Sequence, residues 1–214
     1  MAETLKPTLL PLGDQALLIR FADTLSDEAN LAAIVLAQQL EADRPEGVAE
    51  IAPGLVSVLL RLANGADFGR LRGELILRIG AEARSVEARQ REIAVTFDGP
   101  DLGEVADLVS LSPEAFVSRH NQAALRVLAT GFAPGFVYCG FHGRDMVVPR
   151  REAVRPVVPA GTVLFAAGQT AIAATPIRTG WHVIGKTTFQ NFDPAREPPT
   201  LLKAGDAIRF TRTR

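Results

Sequence analysis

Cysteine is almost missing from this 214-residue chain: Cys139 stands alone, so no internal disulfide can form, and a reducing compartment, the cytoplasm, is expected. Net charge is missing as well. The 23 Lys and Arg nearly balance the 24 Asp and Glu, which leaves no long-range positive field to gather phosphates or anionic lipid. Neither nucleic acid nor a membrane surface is therefore an expected partner. Residues 1–11 lack the basic region and the following apolar run of roughly 7–15 residues that mark a secretory signal, so no export is expected. Arg20, Arg61 and Arg155 interrupt the apolar runs well short of the ~20 residues that span a bilayer. The three histidines, His120, His142 and His182, lie on separate segments with no acidic residue at metal-ligand spacing, so no metal site is expected. A Ser nucleophile elbow of the G-x-S-x-G kind is absent. Cys139 and His142 are close in sequence, but an isolated cysteine is more often a small buried apolar group than a nucleophile.

What the chain does have is apolar residues, 47% of the total, enough for one sizeable core or two small ones. Leu17, Ile19 and Phe21 alternate with Ala16, Leu18 and Arg20, the period of a strand with one face buried. Ser26, Asp27 and Glu28 supply a cap and first-turn acids for a helix carrying Ala29, Ala32, Ala33, Leu36 and Leu40, which Pro45 and Gly47 stop. Val56, Val58, Leu60 and Leu62 predict another strand, and Phe68, Leu71, Leu75 and Ile79 another helix. Periodicity then dissolves into a charged run over 80–91, which suits an interdomain connection. The expected division is an α+β domain over 1–85 and a second domain over 90–214. In the latter, 93–97 reads as a strand, 101–109 as a helix, and Ser112-Pro113 opens a helix with Phe116 and His120 one turn apart. Short β-branched runs follow, at 147–148, 157–158, 162–166, 181–184 and 207–210, parted by Gly and Pro; they predict a small barrel rather than βαβ repeats.

Gly180-Trp181-His182-Val183-Ile184-Gly185-Lys186-Thr187 satisfies the phosphate-loop expression G-x-x-x-x-G-K-[ST]. Its four interior residues favour extended chain, and 188–194 is a poor helix start, so a strand with Trp181, Val183 and Gly185 on one face is the expected conformation. The segment 130–140 is an uncharged aromatic and glycine loop containing Phe132, Pro134, Gly135, Phe136 and Tyr138. It suits either a tight turn stapling the core or the wall of a pocket for a flat ring. Arg150, Arg151 and Arg155 lie in a proline-bearing stretch and fit either a plain surface run or a set of forks for a carboxylate.

These segments, in this order, resemble one family. Gly13-Asp14-Gln15-Ala16, Ile51-Ala52-Pro53-Gly54, Gly131-Phe132-Ala133-Pro134-Gly135-Phe136-Val137-Tyr138, Pro149-Arg150, Val158-Pro159-Ala160-Gly161, Gly168-Gln169-Thr170, Gly180-Trp181 and Ala204-Gly205-Asp206 are similar to the allophanate hydrolase subunit 1 domain. That domain is shared by the B subunit of 5-oxoprolinase, the Kip inhibitor and urea carboxylases. The chain departs from the family pattern at Ala173-Ala174-Thr175-Pro176 and Arg178-Thr179, and at Lys186, where an arginine is usual. The resemblance implies that the second domain is a cyclophilin-like β-barrel. It also implies ATP-dependent opening of 5-oxoproline to glutamate, with ATP (and Mg) acting at the level of a complex and no nucleotide motif in this chain. A subunit 2 of similar architecture is the implied partner, with a lactam-opening third subunit as a further one. Related readings are a subunit of an allophanate or urea amidolyase, a Kip-type inhibitor that binds a sensor histidine kinase, and a stand-alone cyclophilin-like peptide binder. The motif match implies that His120, Arg150 and Lys186 serve the chemistry. It implies that Phe132, Pro134, Gly135, Phe136, Tyr138, Arg155, Gln169 and Trp181 hold substrate, in a cleft that a partner completes.

Overall fold

A computed structural model describes residues 5–79 and 88–213. The first four residues and most of the charged run expected as a connection, 80–87, lie outside the described residues. The chain separates into two compact units, Met1–Glu87 and Ala88–Arg214. Both are built around sheets, and the larger is mainly β with few helices. Among the described residues no helix is long and apolar enough to cross a membrane.

In the first unit, strands β1 (Thr8–Leu12), β2 (Ala16–Arg20), β3 (Val48–Pro53) and β4 (Ser57–Leu62) form an antiparallel sheet in the order β1-β2-β4-β3. Helix α1 (Asp27–Ala42) begins as its sequence predicts, with the Ser26 side chain accepting the Ala29 N–H at 3.2 Å. Helix α2 (Phe68–Ile79) buries Leu71 and Leu75. The alternating residues Leu17, Ile19, Val58 and Leu60 meet Leu40, Leu71 and Leu75 in one core. Strands β1 and β3 are edge strands whose prolines and exposed positions carry no period-two signal.

The second unit opens with β5 (Gln90–Val95), α3 (Leu102–Leu108) and α4 (Pro113–His120). Strands β6 (Leu125–Thr130), β7 (Val137–Gly140), β8 (Arg155–Val158), β9 (Thr162–Ala166), β10 (Gln169–Ile172), β11 (Ile177–Thr179), β12 (His182–Lys186) and β13 (Ala207–Arg212) follow. Seven of them form one sheet in the order β12-β9-β10-β7-β6-β13-β5, while β8 and β11 make a separate ribbon. The sheet curls into a half barrel, and the segment after β5 reaches its other edge, where Thr96 and Lys186 exchange backbone hydrogen bonds at 2.9 and 3.0 Å. Residues 147–148, expected as a short strand, are not one; they follow a 3-10 turn at Arg144–Met146 and precede Pro149.

The inner face of the curl is apolar, with Val127, Val137, Cys139, Phe165, Ile172, Ile184 and Phe210 packed beneath Phe116 of α4. Alternation sends Tyr138, Leu164, Ala166 and Ala171 to the outer face, where they pack with Phe136, Val158, Ile177 and Trp181. Because both faces are covered, β9 is buried at all five positions. The alternation expected through 181–186 holds to Ile184, with Trp181 and Val183 on the outer face, and then slips at a bulge. Val183 pairs with Leu164 and Gly185 with Val163, so Ile184 is the extra residue and turns into the inner core.

The phosphate-loop resemblance has a structural explanation here. A Cβ on Gly185 would stand 2.4 Å from the Thr96 carbonyl oxygen, so this position is glycine because two backbones meet there. Gly99, across the same seam, would meet the Val183 carbonyl at 2.3 Å. Asp101 secures the seam. Its carboxylate accepts the Val183 N–H at 2.7 Å and the Arg151 guanidinium at 2.8 Å, and it also pairs with Arg155. Asp101 is buried, whereas the two arginine side chains keep 21% and 31% exposure. Asp101→Asn removes the charge that holds Arg155 and leaves Arg151 only its 3.2 Å bond to Glu104. It is expected to cost about 3 kcal/mol in urea denaturation, the low end for breaking a buried pair because the arginines retain some water.

Candidate functional site

The loop between β6 and β7 is held from both sides. The Gly131 N–H donates to the Phe136 carbonyl at 3.1 Å, and the Phe136 N–H to the Ala133 carbonyl at 3.0 Å. Buried Asn191 donates its side-chain N–H to the Gly135 carbonyl at 2.8 Å and accepts the Leu202 N–H at 2.9 Å. A Cβ on Gly135 would stand 2.4 Å from Phe192 Cβ, and Gly135 has φ 68°, so only glycine fits. With the loop fixed, Phe132 sits at φ 74°, unfavourable for a bulky residue, with 74% of its surface exposed. Strain that serves an exposed aromatic points to a role outside the core.

From Phe132 a line of rings runs across the outer face. Centroids are 5.4 Å apart for Phe132 and Phe136, 4.8 Å for Phe136 and Tyr138, and 5.9 Å for Tyr138 and Trp181, each pair edge to face. The line ends on a cation, the Arg150 guanidinium, 5.8 Å from the Trp181 ring centre. Burial raises the Tyr138 pKa, and nearby Arg150 pulls it back. Ala171 pairs with Tyr138 across the sheet, so Gln169, two positions earlier, shares the face. Gln169 is 8% exposed, and its Oε1 has no hydrogen-bond partner among the described residues.

The structure thus brings together Phe132, Gly135, Phe136, Tyr138, Arg150 and Trp181, with Pro134 in the same loop, while Gln169 lies buried on the same face beside Gly140. It does not bring the other three residues to that line. Arg155 is engaged with Asp101, and Lys186 donates to Asp98 at 2.6 Å with two thirds of its side chain exposed. Both border a different groove of about 340 Å³, beside Val157 and Pro159. The extended segment around Lys186 makes no cradle for ATP phosphates, since its cation faces Asp98 and Gly185 is pressed against Thr96.

His120 lies inside the curl, 1% exposed, in a polar chain surrounded by aromatics. Its Nδ1 is 2.7 Å from Asn121 Oδ1, its Nε2 is 2.7 Å from Thr170 Oγ1, and His142 Nε2 is 2.8 Å from the same hydroxyl. The Asn121 oxygen can only accept, so the His120 proton sits on Nδ1. Thr170 then donates to His120 Nε2 and accepts from His142 Nε2–H. A hydroxyl, an imidazole and an amide in this order have the connectivity of an acyl-transfer triad, yet Thr170 at 0% exposure is closed to any substrate atom. Burial lowers the His120 pKa to about 4, partly opposed by its bond to Asn121. Burial and then His120 lower that of His142 to about 3, against the pull of Asp145. Burial also pushes the Cys139 thiol far up, so it is a core residue and not a thiolate. The Asp101 cluster and the Thr170 bridge were invisible in the sequence, where Arg151 and Arg155 stand 50 or more positions from Asp101 and Thr170 stands 50 from His120. Among the described residues no group of three His, Cys, Asp or Glu could hold a metal.

Comparison with known proteins adds a family to this geometry. Residues 7–202 match the model of the carboxyltransferase domain, subdomain C and D. A Bacillus subtilis protein named as the B subunit of 5-oxoprolinase is 33% identical over 98% of this chain and 94% of its own length. The crystal structure of TTHA0988 superposes with a TM-score of 0.82 at 36% identity and covers 94% of this chain, which spans only 40% of that longer chain. At 15% identity, the Kluyveromyces lactis urea carboxylase shares the fold with a TM-score of 0.72, over 98% of this chain and 22% of that one.

The histidine pair sets an acid limit on stability. Both pKa values fall below the ordinary 6.5, so the unfolded chain takes up protons between about pH 6.5 and 4 that the folded chain does not. Stability is therefore expected to fall as pH drops through that window. Measured urea midpoints at pH 7 and pH 5 should differ in the wild type and differ less in His142→Gln.

Proposed function

This chain belongs to the carboxyltransferase-domain family of subdomains C and D, together with proteins named as the B subunit of 5-oxoprolinase, and on that premise we propose that it is a subunit of an ATP-dependent 5-oxoprolinase complex. The observation that carries the reading is the line of rings closed by the Arg150 guanidinium at one end. 5-Oxoproline is a flat lactam with a carboxylate and one N–H. Arg150 pairs with the carboxylate, and Tyr138 and Trp181 wall the ring. His120 acts as a positioning residue: through Thr170 it fixes β10.

A lactam is a stabilised amide, and this face offers binding groups without a nucleophile. ATP supplies an activated phosphoryl group to the amide at the level of the complex, and the residues here provide no phosphate site for it. Exposed Phe132 is the natural contact for the partner subunit, which closes the open side. The same exposed ring would serve a Kip-type protein docking on a sensor histidine kinase, a reading that requires no turnover. A cyclophilin-like half barrel and a cytoplasmic location accompany both readings.

In the complex reconstituted with its partner subunit, Arg150→Ala is expected to raise the KM for 5-oxoproline about 10–100-fold, the loss of one charge-assisted pair. Gln169→Met is expected to leave stability in urea denaturation unchanged or about 1 kcal/mol higher, because it removes an unsatisfied buried acceptor. A folded Arg150→Ala complex with wild-type KM and 5-oxoproline-dependent ATP hydrolysis would refute the assignment of this face.

A further inference from the structure

A cavity of about 580 Å³ in the second unit lies beside the aromatic loop and holds none of the residues of the ring line. Its wall includes Ala174, Thr188, Phe189, Gln190, Phe192 and Asp193. That volume falls within the range of small-molecule sites. Small residues line it, Ala160, Ala174 and Gly161, and Gly161 has no room for a Cβ, which would meet the Thr187 carbonyl at 2.4 Å. Phe192 connects it to the functional face, since its Cβ abuts the position a Gly135 side chain would occupy.

The chemistry of the wall narrows the ligand. Its one formal charge, Asp193, already accepts the Ala195 N–H at 2.9 Å and has the Arg196 guanidinium 3.7 Å away. An anion finds no lining cation here, and an ammonium finds a carboxylate already attended by a guanidinium. Phe189 carries the Arg91 guanidinium 5.7 Å from its ring centre, a further disincentive to a second cation. The Thr187 hydroxyl is spent, donating to the Ala94 carbonyl at 2.7 Å and accepting the Phe189 N–H at 3.1 Å. Left in the lining are Phe189, Phe192, Thr188 and Gln190, with Gln190 exposed. An amide offers a donor and an acceptor side by side, and it is matched by the same pair on a planar neutral molecule.

We propose that this cavity is a binding subsite for a neutral, planar group with an amide-type donor and acceptor edge, adjoining the ring line through Phe192 and Gly135. The subsite stands whether or not the ring line binds a lactam. Three probes of one shape and different charge test it on the full chain: benzamide, benzoate and benzylammonium, titrated while the resonances of Phe189, Gln190 and Phe192 are followed by NMR. Benzamide is expected to shift these signals saturably, with both charged probes at least about tenfold weaker. Gln190→Ala should weaken benzamide about fivefold, the loss of one neutral hydrogen bond, and Ala174→Phe should abolish its binding by filling the space. Gln190 is exposed, so its variant folds even if Ala174→Phe does not. The proposal is overturned by absence of benzamide binding, by equal binding of either charged probe, or by a benzamide affinity that Gln190→Ala leaves unchanged.

Discussion

The second unit depends on one buried carboxylate. Asp101 stands at the start of α3, takes the Val183 N–H of β12, and pairs with Arg151 and Arg155, so that a helix, a sheet edge and the β8 ribbon meet on two oxygens. A lone buried carboxylate would be prohibitive, and two partly exposed guanidiniums make it tolerable. The geometry around it follows. The seam from Thr96 to Asp101 along β12 leaves no room for Cβ atoms at Gly99 or Gly185, and the curl it completes encloses an apolar interior.

That enclosure explains the division of labour among polar side chains. Groups that point inward must find partners inside, and His120, His142, Thr170 and Asn121 do so in one chain of short hydrogen bonds. Burial of His120 in this interior penalises its charged form and lowers its pKa. On the outer face Arg150 lies over the Trp181 ring and Phe132 projects from a strained backbone.

The relatives fit this picture in extent as well as in fold. The chain accounts for almost all of the Bacillus subtilis 5-oxoprolinase B subunit it matches, but only 40% of TTHA0988 and 22% of the urea carboxylase. Its fold therefore recurs both over nearly the full length of a polypeptide and as a segment of longer ones.

Much of the fold was legible in the residues. Alternation in 16–20 and 57–62, the Ser26 and Ser112 caps, and the Gly and Pro spacing after 121 all record local backbone and burial, which a linear pattern carries directly. The aromatic loop was legible for the same reason: its glycines and rings are neighbours in the chain. The lysine of the Gly180–Thr187 pattern was not, because the Thr96 contact that gives Gly185 its purpose comes from a segment about 90 residues away, and the bulge at Ile184 from pairing with β9. Nor could the sequence tell that Arg150 meets Trp181 while Arg155 meets Asp101. Five residues apart on one irregular stretch, the two arginines have the same chemistry, and only the packing of the β8 ribbon against the sheet sends one to a ring and the other to a buried carboxylate.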